Sequence, residues 1–228
     1  MARRYFSSGT FGFLRDLKRN NDREWFKANQ DRYERTVREP ALDFIADFEA
    51  PLHKISPHFV AIAKKSGGSL FRIHRDVRFS KDKSPYKTHT GVQFRHEQGK
   101  DAHCPGYYLH LEPKRVFVAA GIWRPDGPTL QKIRELIAAD PDGWRKAVGG
   151  KRFKDNFALE GDSLKRPPRG FDAGHPSIDD LKRKDFIAVA AASQQFATGE
   201  SFLKDITATW RHTTPLMRFL CDAIEVPF

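Results

Sequence analysis

Cations are concentrated in one short stretch of the chain, LFRIHRDVRFSKDKSPYKT at residues 70–88. Between residues 72 and 87 it carries six cations and two anions, a net charge of 6 − 2 = +4. Arginine offers planar pairs of N–H donors and lysine a point charge, and both hold phosphate and carboxylate ligands. The predicted anion site, in which the two acids orient the cations, consists of Arg72, Arg75, Asp76, Arg78, Lys81, Asp82, Lys83, Tyr86 and Lys87.

Three interpretations of this basic segment stay open at the level of sequence. In the first, the cations converge on an anionic, phosphate-bearing small molecule. In the second, Asp76 and Asp82 pair with neighbouring cations and pin a loop, although two acids cannot pair six cations bidentately. In the third, the segment belongs to a nucleic-acid surface, whose affinity would fall steeply with salt. A phosphoester hydrolase, with Asp76 or a nearby histidine as general base, is a further alternative.

Four of the nine histidines are considered as metal ligands or as acid–base groups: His74, His89, His103 and His110. Two of them with Asp76 or Glu112 offer metal ligands, but the chain has no HxH, HxxxH or HExxH spacing, so we predict no metal site. Acid–base chemistry by His74 or His110 beside Asp76 stays an alternative, because histidine titrates near neutral pH. No phosphate-loop or nucleophile motif is present, and the sequence identifies no cofactor.

Two further features have both a functional and a structural interpretation. Four rings can stack on a base or a sugar, although their spacing favours core positions: Trp25, Phe26, Tyr33 and Trp123. The basic stretch LKRPPRGFDAGHP at residues 164–176 either closes over a bound anion or is a solvated loop.

Composition limits the class of protein. The chain has 228 residues, a formal charge of +11 and a pI of about 9.7, with hydrophobic residues at 39%. This suffices for one folded domain, which we expect to span residues 1–228. The charge favours anionic partners, either a small molecule or a nucleic acid, and leaves the oligomeric state open. Two distant cysteines, no signal-peptide pattern and no long apolar run predict a cytoplasmic protein without a membrane partner.

The elements that must position these residues follow from hydrophobic spacing. Spacings of three and four predict helices that begin at Thr10, Asn21 and Pro40, and further helices after residue 128. Helices, then hairpin strands, then helices predict an α+β fold with a central mixed or antiparallel sheet. Residues 149–176 are predicted to be a long ordered loop. The predicted strands lie at 58–63, 70–74, 91–95, 106–111, 116–123 and 186–192.

A set of motifs occurs in a fixed order along about residues 8–223. The most specific is RDVRFSKDKSPYK at 75–87, followed by GYYLHLEP at 106–113. The others are Asn20-Asn21, Trp25-Phe26, Asn29, Tyr33, Gly121, Trp123, Pro125, LKRPPRGF at 164–171, His175-Pro176 and LKRKDF at 181–186. Together they resemble a widespread family of uncharacterised bacterial and fungal proteins, domain of unknown function family 2461. The resemblance implies a compact mixed α/β domain and no particular reaction, since the family has no established activity.

Overall fold

Helices lie at both ends of the chain, as the sequence predicts. The structure, a computed structural model, describes residues 3–99 and 103–228. Within those ranges no helix combines the length and apolar character needed to cross a bilayer. The helices are α1 (Ser8–Arg19), α2 (Arg23–Ala28), α3 (Gln30–Tyr33), α4 (Glu39–His53), α5 (Gly127–Ala139), α6 (Pro141–Gly149), α7 (Lys151–Asn156), α8 (Ile178–Leu181), α9 (Gln194–Thr198), α10 (Phe202–Arg211) and α11 (Thr214–Ala223), with one π-helical turn at Glu34–Arg38.

Two helix starts differ from the prediction because a neighbouring residue is the cap. Helix α1 begins after Ser7, whose side chain forms a capping box with Thr10. Helix α2 begins after Asp22, whose carboxylate accepts a hydrogen bond from the Trp25 backbone N–H at 2.8 Å. Asn21, predicted to cap that helix, is therefore available for a long-range contact.

The strands form one antiparallel sheet, which confirms the predicted α+β class. Its strand order is β1-β2-β3-β4-β6-β5. A two-residue turn joins β3 to β4, so this hairpin is tighter than the predicted four-residue connection. The strands are β1 (Phe59–Val60), β2 (Thr90–His96), β3 (Gly106–Glu112), β4 (Arg115–Ile122), β5 (Ala158–Glu160) and β6 (Phe186–Ala192).

Three predicted elements need correction. The strand predicted at 58–63 is only the two residues of β1, and the strand predicted at 70–74 does not form. Residues 70–75 instead fold back on 85–92 as an irregular hairpin, where the Arg75 N–H donates to Pro85 O and the Lys87 N–H to Ile73 O. Proline has no N–H, so it interrupts a regular ladder at this point. The loop predicted at 149–176 contains α7 and β5.

One face of the sheet is covered by helices. Its side chains join a large hydrophobic core with residues of α4, α10 and α11. The fully buried Trp210 of α10 donates its indole N–H to the Ala119 carbonyl at 3.1 Å, so its polar atom is satisfied. This face therefore anchors the strands and leaves the opposite face to define a site.

A second, smaller core attaches the basic segment to the N-terminal helices. Tyr86 is buried and stacks on Phe26 of α2, with ring centroids 4.1 Å apart. The Asn21 side chain donates to the Tyr86 carbonyl at 2.9 Å and accepts from the Tyr86 N–H at 3.1 Å. Because one side chain binds both backbone groups of Tyr86, Asn21 fixes the backbone position from which the next residue, Lys87, extends.

Candidate ligand site on the open face of the sheet

The basic segment contains a loop at residues 75–84, here called the braced loop, in which charges pair with each other. Arg78 binds Asp76 through two nitrogens, and its Nη2 lies 2.7 Å from Asp76 Oδ2. Arg75 binds Asp82 at 2.5 Å and also donates to the Ser84 carbonyl at 3.1 Å. Two of the predicted anion-binding arginines are thus occupied by the loop's own carboxylates.

Hydrogen bonds to the two acids hold them in the charged form. The Arg78 side chain lowers the pKa of Asp76 to about 2. The Ser84 hydroxyl and backbone N–H, and then Arg75, lower the pKa of Asp82 to about 2. Lys83 donates to the Val77 carbonyl at 3.0 Å across the same loop. These contacts give the braced loop a fixed shape without an external ligand.

The other predicted site residues are spread over different environments. Tyr86 lies in the second core, while Arg72 and Lys81 are exposed. Lys87 is half-buried, with its Nζ 5.3 Å from the centre of the Phe71 ring. Among the residues described, Arg72, Lys81 and Lys87 form no ion pair. Burial, and then the charge of Arg72, lowers the pKa of Lys87. The structure therefore does not bring the nine predicted residues together around one point.

The face of the sheet opposite the helices, here called the open face, carries small residues beside aromatic and polar ones. Strand pairing arranges its positions in rows across β2, β3, β4 and β6. Since side chains alternate between faces, the members of each row point the same way. The rows are Gly91–His110–Phe117–Ala191, Gln93–Tyr108–Ala119–Val189 and Arg95–Gly106–Gly121–Ile187.

A pocket of about 720 Å³ lies on the open face. Glycine and alanine at positions 106, 119, 121 and 191 leave room above its floor. Phe71, Tyr108, Phe117 and Trp123 supply aromatic walls, and 46% of the Trp123 surface is exposed. Its charged lining residues are Lys87, Lys114, Arg115 and Glu160. This is the mixture of apolar surface and few polar groups that small-ligand sites show.

A chain of polar side chains runs along β3 at one edge of the pocket. The Tyr108 hydroxyl lies 3.1 Å from His110 Nδ1, and His110 Nε2 lies 3.4 Å from Glu112 Oε2. Lys18 of α1 approaches the other Glu112 oxygen at 3.6 Å. Burial lowers the pKa of His110 and raises that of Tyr108 to about 12. Both groups are therefore neutral at pH 7.

His89 packs on the outer side of this chain. Its ring stacks on His110, with centroids 4.4 Å apart, and His110 stacks on Phe117 at 4.5 Å. Burial, followed by the neighbouring His110 and Lys87, lowers the pKa of His89 to about 4. Within residues 3–99 and 103–228, no group of three histidine, cysteine or acidic side chains is placed to hold a metal.

A buried carboxylate fixes the rim of the pocket that carries Trp123. Asp185 accepts the Arg124 N–H at 2.8 Å and the Asp162 N–H at 2.9 Å, which joins the end of β4 to the turn after β5. Gly121 has a φ of 136°, and a Cβ there would collide with the Phe186 carbonyl. Arg124 lies over the Trp123 ring at 4.8 Å. The position of Trp123 is thus set by backbone contacts.

The sequence analysis missed most of this pocket, although one signal for it was present. The motif GYYLHLEP places Tyr108, His110 and Glu112 two residues apart, and this spacing puts them on one face of a strand. The proposed pairing of His74 with Asp76 is not seen, because Asp76 binds Arg78 and His74 contacts the Tyr86 ring. Of the four rings considered for stacking, Trp123 lines the pocket, and the other three pack in or against the second core.

The fold and pocket define an α+β protein with a half-covered antiparallel sheet and a small-molecule-sized site on its open face. The chain matches the family described as Conserved hypothetical protein (DUF2461) over residues 9–219, and it belongs to that family. This confirms the resemblance expected from the motifs. No curated protein matches the chain.

Proposed function

We propose that the protein binds a small, planar organic phosphate on the open face of the sheet. The observation that carries the proposal is the half-buried Lys87, which lines the pocket without an ion-pair partner among the described residues. A partly desolvated ammonium without a counter-ion is unfavourable, and a bound phosphate would supply that counter-ion. The proposal includes the cytoplasmic location expected from the sequence.

Shape and charge of the pocket support the choice of ligand. Arg115 adds a second cation and lies over the Phe117 ring at 5.2 Å. The room above the small floor residues and the aromatic walls suit a flat ring, which packs favourably against aromatic side chains. Glu160, on the edge strand β5, is the only carboxylate among the described residues that line this pocket. Of the nine residues predicted from sequence, the proposal assigns ligand contact to Lys87 and an electrostatic role to Arg72.

Titration calorimetry with phenyl phosphate tests the proposal. We expect wild-type protein to bind it and Lys87→Met to bind it roughly 10- to 150-fold more weakly, as a lost charged hydrogen bond of about 1.5–3 kcal/mol implies. Lys81→Met is the matched control, since Lys81 is an exposed lysine of the braced loop, and its affinity should stay within about twofold. Absence of binding to wild-type protein, or equal losses in both variants, would contradict the proposal.

The same samples separate the alternatives. A hydrolase would release phenol from phenyl phosphate during the titration, whereas a binding protein would not. A nucleic-acid-binding surface that contacts six to ten phosphates would lose about 10³–10⁵ in affinity between about 50 and 200 mM salt. A pocket that takes one phosphate group should show a far smaller salt dependence.

A further inference from the structure

The polar chain on β3 determines where the Tyr108 proton points. A carboxylate only accepts hydrogen bonds, so the His110 nitrogen that faces Glu112, Nε2, must carry the proton. A neutral histidine with its proton on Nε2 has an acceptor at Nδ1. The Tyr108 hydroxyl, 3.1 Å from Nδ1, therefore donates its only proton to His110.

Packing keeps His110 in this state. Its ring is buried between His89 and Phe117, and only 6% of its surface is exposed. Glu112 also pairs with Lys18, whose Nζ lies 3.6 Å from its second carboxylate oxygen. The tautomer of His110 is thus fixed by its neighbours and does not depend on a ligand.

The Tyr108 oxygen is left as a hydrogen-bond acceptor at the edge of the pocket. Its proton is committed to His110, so any further hydrogen bond at this oxygen must be accepted from elsewhere. Gly91 makes room for this hydroxyl, because a Cβ at that position would lie 2.7 Å from the Tyr108 oxygen and 3.0 Å from the Phe71 ring. Phe71 also lies against Lys87, so the cation and the acceptor flank the same ring.

We infer that the ligand carries a hydrogen-bond donor, a hydroxyl or amino group, in addition to its phosphate, and that Tyr108 accepts from this donor. The inference rests on the proposed function and narrows it to hydroxylated or aminated planar phosphates. Tyr108 is then a specificity-determining residue that contacts the ligand. His110 is a positioning residue that acts through Tyr108.

A ligand series tests the inference by calorimetry. Its members are phenyl phosphate, the three hydroxyphenyl phosphate isomers and the three corresponding methoxyphenyl phosphates. We expect at least one hydroxyphenyl isomer to bind wild-type protein about 2- to 10-fold more tightly than its methoxy analogue, the value of one neutral hydrogen bond. In Tyr108→Phe, which keeps the ring in the pocket wall, this preference should disappear; the readout is the ratio of the two affinities and not the affinity for phenyl phosphate.

His110→Phe provides an independent arm that keeps the stacking on Phe117. Without Nδ1, the Tyr108 hydroxyl can donate to the methoxy oxygen as well as accept from the hydroxy isomer, so the preference for the hydroxy isomer should shrink. The melting temperature confirms that the variant folds. A role for His110 in packing alone would weaken all ligands equally and leave the preference intact.

The outcomes distinguish the inference about Tyr108 from the proposed function on which it rests. If wild-type protein binds phenyl phosphate but prefers no hydroxy isomer, or if the preference survives in Tyr108→Phe, the inference is overturned and the proposed function stands. A surviving preference would direct attention to Glu160, the pocket's acidic residue. If wild-type protein does not bind phenyl phosphate, both fail together.

Discussion

The braced loop and the open face are both rich in cations, but those cations have different partners. In the braced loop, Arg75 and Arg78 contact carboxylates within the same ten residues. On the open face, Lys87 and Arg115 contact aromatic rings and form no ion pair with the residues described. The arginines of the loop are paired with carboxylates, whereas these two cations on the sheet are not.

This difference explains why a basic motif is an incomplete guide to a binding site. An arginine that binds a carboxylate already has a counter-ion and part of its donors engaged, so an anionic ligand must compete with that carboxylate. A lysine that is partly desolvated and unpaired has the opposite tendency, because an anion relieves its burial. We therefore expect the loop to act as a frame and the proposed ligand to bind on the sheet face.

The largest effect that we expect is a loss of stability in acid. It distinguishes the open face from the braced loop, because their groups titrate at different pH. Burial holds the pKa of His89 at about 4, below the ordinary histidine value of about 6.5, so the unfolded chain takes up a proton first as pH falls. The free energy of unfolding should therefore fall by about 3 kcal/mol between pH 6.5 and 4. Below pH 4, His89 is protonated in both the folded and the unfolded chain and contributes no further loss. The lowered pKa of His110 acts in the same direction, whereas Asp76 and Asp82 titrate lower, near pH 2.

Urea unfolding at pH 7 and at pH 4.5 measures this loss. His89→Asn should reduce the difference between the two pH values. His53→Asn, which changes an exposed histidine of α4, is the control and should leave the difference unchanged. A stability that is equal at the two pH values would contradict the burial of the histidine pair.

The second-largest effect on stability concerns the contact between the basic segment and the N-terminal helices. Asn21→Ala removes both hydrogen bonds to the Tyr86 backbone, and we expect a loss of about 1–3 kcal/mol in the free energy of unfolding. Because Lys87 follows Tyr86 directly, affinity for phenyl phosphate should fall as well. Asn20→Ala, at the exposed end of α1, should change stability by no more than about 0.5 kcal/mol. Equal effects of the two substitutions would refute the positioning role of Asn21.

The smallest expected effect concerns the braced loop itself. Asp82→Asn weakens the contacts to Arg75 and Ser84, so trypsin should cleave after Lys81 and Lys83 several-fold faster than in wild-type protein. Affinity for phenyl phosphate should not change. Asp179→Asn breaks an exposed ion pair elsewhere, with Lys182, and serves as the control for cleavage. A marked loss of affinity in Asp82→Asn would return the ligand to the loop.

Local patterns in the sequence predicted the α+β class, the β3–β4 hairpin and the helices at both ends. The alternation in GYYLHLEP and in β4 suffices for these strands, because one face of each is packed on helices. The strand predicted at 70–74 failed since its residues pair through isolated bridges with Val92 and Tyr86. The single domain over residues 1–228 stays a prediction.

The site was harder to predict, for a physical reason. Whether Asp82 neutralises Arg75 depends on how the loop turns, and residue counts do not contain that information. The pocket depends on the register of four strands, which brings His110 beside Phe117 and Tyr108 beside Ala119. Lys87 belongs both to the anion site predicted from sequence and to the observed pocket, since it ends the basic motif and lines the pocket.

The central claim is that the anion binds on the open face and not in the braced loop. A crystal soaked with 4-bromophenyl phosphate tests it directly, because anomalous scattering locates the bromine. We predict a bromine peak over the sheet beside Trp123 and phosphate density at Lys87. A bromine peak beside Phe79, with the phosphate held by Arg75 and Arg78 of the braced loop, would contradict the account.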